Sequence, residues 1–328
     1  MDIVVLSQEQ VESLLHPQEC IELMSEALSA LARGEAFNPL RSVVRPPEQE
    51  HFLGLMPAYR GGGNPAYVLK EVCIFPDNPK RGLDAHQGAV LLHSADTGQL
   101  LAVMNASAIT AIRTAAVSGL ATKVLSRDDA TELAVVGTGV QAKAHLDAMS
   151  AIGRFEKARV AGRSPERARA FVAGLTAKYS FTVEASDDVQ QAVRGADVIV
   201  TATNSAEPVL KREWVKLGAH VNAVGSCSPV KRELDTATVV ASTFFVDRRE
   251  SALHESGDYM LAAKEGAIGP DHIRAELGEL LIGEQLGRGF PEEITVFKSL
   301  GIAVEDLAAA QFLYRRALAK EVGTRVRY

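Results

Sequence analysis

A chain of 328 residues exceeds the roughly 100 to 150 residues of a typical single domain, so two domains are expected. Hydrophobic residues at 47% and charged residues at 23% form an ordinary globular mixture, which excludes a disordered chain and leaves burial able to offset chain entropy. The 35 basic and 41 acidic residues give a formal charge of -6 without blocks of one sign, which points away from nucleic acid and anionic membranes and towards a small-molecule partner.

Cys20, Cys73 and Cys227 are odd in number and form no CxxC pair, so neither a disulfide framework nor a thiolate zinc site is expected. A reducing compartment follows. The opening MDIVVLSQEQ lacks the basic residues and apolar stretch of a signal peptide, and no later apolar run reads as approaching the ~18 residues of a membrane span. A cytoplasmic protein is therefore expected.

Residues 7 to 33 read as two helices, because Ser7 and the carboxylates after it suit an N-terminus. Apolar positions then recur at Val11, Leu14, Leu15 and at Ile21, Met24, Ala27, Leu28 and Leu31. A sheet beneath these faces is expected from RSVVR at 41–45, HFLGLMPAY at 51–59, AYVLKEVCIF at 66–75 and GAVLLHS at 88–94. Turns at Gly61-Gly62-Gly63-Asn64-Pro65 and Asp77-Asn78-Pro79 separate them. Residues 106–125 form a helix of small side chains that lets another backbone come close. From about residue 131, TELAVVG, KARVAG, DVIVTAT, HVNAVG and TFFVD read as short strands, with helices near 140–152, 165–178 and 187–194 between the first of them. This alternation predicts a doubly wound parallel sheet. A closing helix over 303–321 is expected to return to the first domain, bringing the two chain ends together.

Gly137-Thr138-Gly139-Val140-Gln141-Ala142 follows the apolar strand and opens a helix, the context a dinucleotide-binding GxGxxA loop requires. Gly137 permits the tight turn, Gly139 lets the backbone N–H groups of Val140 and Gln141 approach a pyrophosphate, and Ala142 keeps helix and strand close. An ordinary glycine turn is the plainer alternative. The second strand ends in Gly162-Arg163-Ser164 where an NAD enzyme usually carries a carboxylate, so a 2′-phosphate would find partners in Arg163 and Ser164, favouring NADP(H) over NAD(H). The plainer alternative is that Arg163 stacks on adenine or is a solvated charge.

Lys70 lies between apolar residues in its strand and Arg113 in a small-residue helix, both unexpected places for charge. A buried ammonium has its pKa lowered towards the range useful for proton transfer, and a guanidinium grips a carboxylate through two hydrogen bonds, so the pair describes an anionic-substrate site. Against that stands a purely structural reading, with Lys70 snorkelling and Arg113 paired to an acid such as Glu71.

LGLMPAY at 53–59, LLAVMNASAITAIRTAAVSGLATKVL at 100–125, WVKLGAHVNAVG at 214–225 and ITVFKSLGIAVED at 294–306 closely resemble the ornithine cyclodeaminase/mu-crystallin family, on its mu-crystallin or ketimine reductase side. The resemblance spans nearly the whole chain. It implies an α/β fold, a Rossmann domain over 121–303 plus a discontinuous α+β substrate-binding and dimerisation domain over 1–120 and 304–328, assembled as a homodimer. Arg41 and Arg113 would hold the substrate carboxylate, Lys70 would meet the imine or amine nitrogen, and Met56 would line the pocket. His86, Arg113, Thr114, Thr203, Asn204, Val224, Ser299 and Leu300 match positions of cofactor contact. His86 could instead be a hydrogen-bonded core histidine.

Cyclodeaminases of the family carry a catalytic aspartate where this chain reads Ser226-Cys227-Ser228-Pro229, with Cys227 in the aspartate's place. The group handling a ring-closing amine is missing, and Cys227 reads as a pocket wall. The expected activity is NAD(P)H-dependent reduction of an imine α to a carboxylate, such as pyrroline-2-carboxylate or piperideine-2-carboxylate, to an α-amino acid, with no metal required. Alternatives are an ornithine cyclodeaminase, an alanine dehydrogenase-like or iminosuccinate reductase-like enzyme, and a non-catalytic nucleotide-binding protein.

Overall fold

The computed structural model describes residues 2–175 and 179–327. In chain order the first half comprises β1 (Asp2–Leu6), α1 (Gln8–Leu14), α2 (Pro17–Ala32), β2 (Ala36–Phe37), β3 (Ser42–Val44), β4 (Phe52–Arg60), β5 (Ala66–Ile74), β6 (His86–Ser94), β7 (Leu100–Asn105) and α3 (Ala106–Leu125). There follow β8 (Glu132–Val136), α4 (Val140–Ile152), β9 (Lys157–Ala161), α5 (Pro165–Ala173), β10 (Thr182–Ala185), α6 (Val189–Val193), β11 (Val198–Thr201), β12 (His220–Ala223), α7 (Thr236–Val240) and β13 (Thr243–Val246). The last elements are α8 (Arg249–Glu255), α9 (Gly257–Lys264), β14 (Ile273–Glu276), α10 (Leu277–Leu281), β15 (Thr295–Lys298), α11 (Ala303–Lys320) and β16 (Thr324–Arg327). These form two compact units, residues 1–113 with 301–328, and residues 114–300, so one division falls inside α3, directly after Arg113.

The first unit rests on a sheet in the order β16-β1-β7-β6-β5-β4-β2, with β3 pairing on β4. Its pairings are antiparallel except for β1 on β7, and β1 pairs with β16 from Asp2↔Arg327 onwards, so the chain ends meet. Ser7 starts α1 through a reciprocal capping box with Gln10, and Pro17 opens α2, whose stripe of Ile21, Met24, Ala27, Leu28 and Leu31 is buried as its spacing requires. The two-residue period of β5 puts Ala66, Val68, Lys70 and Val72 on the covered face and Tyr67 and Glu71 on the other. Glu71 therefore projects away from the interior, which removes it as the partner of a buried Arg113. α11 packs across β4 and β5 and against α2, buried continuously from Ala303 to Gln311.

α3 departs from the expectation about apolar runs. By length and composition it could cross a bilayer, yet 72% of its apolar window is buried within the protein, as in a core helix.

The second unit is a wholly parallel sheet in the order β10-β9-β8-β11-β12-β15-β13-β14. The chain runs outward from β8 through β9 to β10 and then returns to the other side of β8 with β11, so the strand order reverses between β8 and β11. Carboxyl ends at such a reversal are where open α/β sheets bind ligands. Strands β10, β14 and β15 add to those expected from sequence, and α5 ends at Ala173, with residues 176–178 of its expected extent outside the described residues.

Candidate active site

β8 runs directly into the glycine loop. Gly137 has a φ of 137°, and a β-carbon there would run into the carbonyl oxygen of Ala202 at the end of β11, so only glycine fits. Gly139 caps α4 without a side-chain hydrogen bond, and a β-carbon on it would meet nothing within 4 Å. In the first turn of this 13-residue helix Val140 is exposed and Ala142 is buried against the sheet. The buried side-chain oxygen of Gln141 has no hydrogen-bond partner among the described residues. A helix opening on Gly139 without a side-chain cap fits a dinucleotide's phosphates.

At the end of β9, Arg163 is exposed. The Ser164 hydroxyl donates to Glu166 Oε2 at 2.5 Å, and that bond holds the Glu166 carboxyl below its usual pKa. The expected partnership of Arg163 and Ser164 is therefore unequal, because Ser164 already serves a local carboxylate.

The carboxyl ends of β11, β12 and β15 are tied by buried charges absent from the sequence reading. Glu233 accepts from Thr203 N at 2.6 Å and Thr203 Oγ1 at 2.7 Å, and from Thr201 Oγ1 and Gly225 N, each at 2.8 Å. Burial pushes its carboxyl up, while Lys298 and the threonine hydroxyls pull it back. Lys298, fully buried, pairs with Asp258 at 2.9 Å and donates to the Gly225 carbonyl, and Asp258 also accepts from the N–H groups of Glu233 and Leu234. Burial alone would lower the Lys298 pKa, but Asp258, Cys227 and Glu233 raise it above its usual value. Val224, Ser299 and Leu300 are buried at these strand ends, with Leu300 N donating to Asp247 at 2.6 Å, while Asn204 is exposed. Cys227 is exposed after Ser226, which has a φ of 63°, and its thiol lies against the carbonyls of Val224, Ser299 and Leu300 at 3.6, 3.9 and 3.8 Å.

In the first unit, Lys70 and Arg113 meet through α11. The Lys70 ammonium, 2% exposed, lies 2.8 Å from Asp306 Oδ2 and 3.5 Å from Thr110 Oγ1, with Met56 directly across the β4–β5 ladder. Arg113, 3% exposed, donates through Nε to Asp306 Oδ1 at 3.0 Å and through Nη1 to Glu305 Oε2. Arg41 donates through Nη2 to the Gly301 carbonyl at 2.9 Å. Gly301 has a φ of 75°, and a β-carbon would press on the Arg113 guanidinium, within 2.8 Å of Nη2. That one glycine therefore seats both arginines. Asn38 Oδ1 accepts from Val304 N at 2.8 Å and fixes the start of α11, where the helix dipole favours its acids.

Burial lowers the Lys70 pKa to about 8, helped by the Arg113 and Arg41 charges and resisted by Asp306. His86 opens β6 with its carbonyl accepting from Ser107 Oγ. It keeps open surface, but lost hydration first, then Lys70 and Arg113, hold its imidazole below the usual value. Thr114 follows Arg113 on α3 and is buried. The signal that could have found Glu305 and Asp306 is two adjacent acids in an otherwise apolar helical run, AVEDLAAA.

A family model described as ornithine cyclodeaminase/mu-crystallin family matches residues 1–321. The chain belongs to this family. Among its ornithine cyclodeaminase/mu-crystallin relatives, a Delta(1)-pyrroline-2-carboxylate reductase of Bacillus cereus is 37% identical over 99% of this chain and 100% of its own length. Ketimine reductase mu-crystallin of Rattus norvegicus is 40% identical over 94% of this chain and 96% of its own. The solved structure of Thermococcus litoralis Delta(1)-pyrroline-2-carboxylate reductase in complex with NADH and L-proline superposes with a TM-score of 0.95 at 38% identity, covering 99% of this chain and 100% of that one.

Proposed function

We propose that this ornithine cyclodeaminase/mu-crystallin family member reduces an imine α to a carboxylate, a cyclic ketimine of the pyrroline-2-carboxylate or piperideine-2-carboxylate type, to the corresponding α-amino acid with NAD(P)H. The observation that carries the reading is the cluster of buried Lys70 and Arg113 with half-buried Arg41, organised by Asp306, Glu305 and the Gly301 carbonyl. The reductase names of the two relatives and the bound L-proline of the Thermococcus enzyme support it.

When bound at the glycine loop, NAD(P)H would supply the hydride that the imine carbon gains. The chain's own residues do the rest. Arg41 and Arg113 hold the substrate carboxylate, which orients the carbon–nitrogen double bond, a contribution that can reach several kcal/mol. The protonated Lys70 ammonium donates a proton to the nitrogen as its double bond is lost, so carbon gains hydrogen, nitrogen gains hydrogen and the amine results. A group with a pKa of about 8 releases its proton more readily than an ordinary lysine while remaining mostly charged at pH 7. Met56 forms an apolar wall beside Lys70, and Cys227, where the family's cyclodeaminases carry their aspartate, takes no part in proton transfer.

Residues 1–113 with 301–328 then form the substrate-binding and dimerisation domain, and residues 114–300 hold the dinucleotide through Gly137, Gly139, Val140, Gln141, Thr203, Val224, Ser299 and Leu300, with Thr114, Asn204 and His86 as further contacts. Arg163 favours NADP(H). The NADH in the Thermococcus complex keeps NAD(H) as the second cofactor. A homodimer is proposed, because the sheet face opposite α11 carries Leu55, Pro57, Tyr67, Leu69, Leu91 and Val103, none of them buried.

Loss of NADPH or NADH absorbance on adding Δ1-pyrroline-2-carboxylate and Δ1-piperideine-2-carboxylate is the direct test. Ketimine-dependent oxidation is expected. Ammonia and proline formed from ornithine without net consumption would assign the chain to the cyclodeaminases instead.

A further inference from the structure

We infer that Asp306 is the positioning residue of the cationic site: its two carboxylate oxygens hold Lys70 and Arg113 in one fixed arrangement and set the pH range over which Lys70 keeps its proton. The inference rests on the reading of Lys70 as proton donor. Asp306 is fully buried and splits its bonds, Oδ2 to Lys70 at 2.8 Å and Oδ1 to Arg113 Nε at 3.0 Å. It is itself fixed, since it stands in the first turn of α11, an element whose start Asn38 secures.

The charged groups facing Lys70 come from every element around it: Asp306 and Glu305 from α11, Arg113 from α3, Arg41 from the segment before β3, and His86 from β6. The buried Cys20 thiol on α2 lies against the same charges, and burial pushes it so far up that it stays neutral. With Lys70 protonated, its ammonium faces the Asp306 carboxylate directly and the Arg113 and Arg41 charges beside it. Removing the Asp306 charge leaves those cations unopposed at Lys70 and expels the lysine proton at lower pH, because an opposite charge within ion-pair distance shifts a pKa by roughly 1 to 3 units. Glu305 pairs with Arg113, so its loss acts on the lysine through that guanidinium.

The experiment is the pH dependence of kcat/KM for NAD(P)H-linked reduction of Δ1-pyrroline-2-carboxylate by the full chain and its variants, with dinucleotide binding followed by fluorescence to certify folding. Asp306→Asn is expected to move the basic limb down by about one unit or more, tenfold in rate per unit above the limb, while Glu305→Gln moves it less. Asp306→Glu, which keeps the charge but displaces it, is expected to leave the limb in place and lower kcat. An Asp306→Asn enzyme that binds dinucleotide and keeps the wild-type limb would overturn the inference. If that variant does not fold, Asp306→Glu decides, and unchanged kcat with an unchanged limb would overturn it as well. Failure of the underlying reading looks different: Lys70→Met would then turn over at the wild-type rate.

Discussion

Lys70 and Lys298 are both buried and both rest on an aspartate, at 2.8 and 2.9 Å, yet their proton affinities move in opposite directions. Around Lys70 the neighbours after Asp306 are Arg113 and Arg41, and its pKa falls to about 8. Around Lys298 they are Cys227 and Glu233, and its pKa rises. Burial lowers both and an ion pair raises both, so neither accounts for the difference between them. The sign of the remaining charges sets the difference, leaving one lysine with the lowered proton affinity that the proposed donor role needs and the other a charged strut between strand ends.

The largest expected effect separates the two by function. Lys70→Met should lower kcat for ketimine reduction by ~10²- to 10⁴-fold while leaving NAD(P)H affinity unchanged, the signature of a lost proton donor. Steady-state kinetics with a fluorescence titration of the dinucleotide checks both halves, and equal losses in the two would blur the comparison. Lys298→Met should act on stability instead, by about 3–5 kcal/mol in denaturant unfolding, because Asp258 and Glu233 lose their buried counter-charge.

Glu233→Gln should weaken dinucleotide binding by roughly tenfold, since an amide must turn a donor towards one of the four donors that Glu233 now accepts, leaving a buried group unpaired. Isothermal titration with NADPH measures this. Unchanged affinity would mean that the strand-end network serves the fold alone.

Stability against pH sharpens the contrast further. Lys70 is depressed to about 8 when folded, against 10.5 when unfolded, so between those values the unfolded chain binds more protons and the Lys70 contribution to stability rises with pH. Lys298 is raised, so its contribution is complete below 10.5 and is lost only above its folded pKa. Urea unfolding of wild type and Lys70→Met at pH 8 and pH 10 should therefore show wild type gaining on the variant at the higher pH. The smallest effect concerns Arg163→Asp, which should lower the NADPH to NADH ratio of kcat/KM without touching kcat on NADH. An unchanged ratio removes Arg163 from cofactor choice.

Much of this arrangement was legible in the chain itself. Capping and periodicity mark α1 and α2, the boundaries of α3 match its run of small residues, and the glycine loop declares its strand-turn-helix context. Charges in apolar segments single out Lys70 and Arg113. The same rule would have chosen Lys298 within ITVFKSLG, and only tertiary packing tells the two lysines apart. Glu305 and Asp306 escaped because acids in a helix's first turn are ordinary, serving its dipole on any surface helix. Their burial depends on α11 lying across β4 and β5, a contact between segments far apart in sequence. β10 and β14, TVEA and IRAE, are too short and too polar to carry a period, and their strand identity comes from neighbours in the sheet.

The central claim is that burial, reinforced by the neighbouring Arg113 and Arg41 charges, tunes Lys70 to donate a proton. Titration of the lysine side-chain carbons by NMR in the dinucleotide-bound protein, with assignment by Lys70→Met and Lys298→Met, tests it most directly. The account predicts an inflection near pH 8 for Lys70 and none below pH 10.5 for Lys298. Two lysines titrating together, or Lys70 still charged above pH 10, would contradict it.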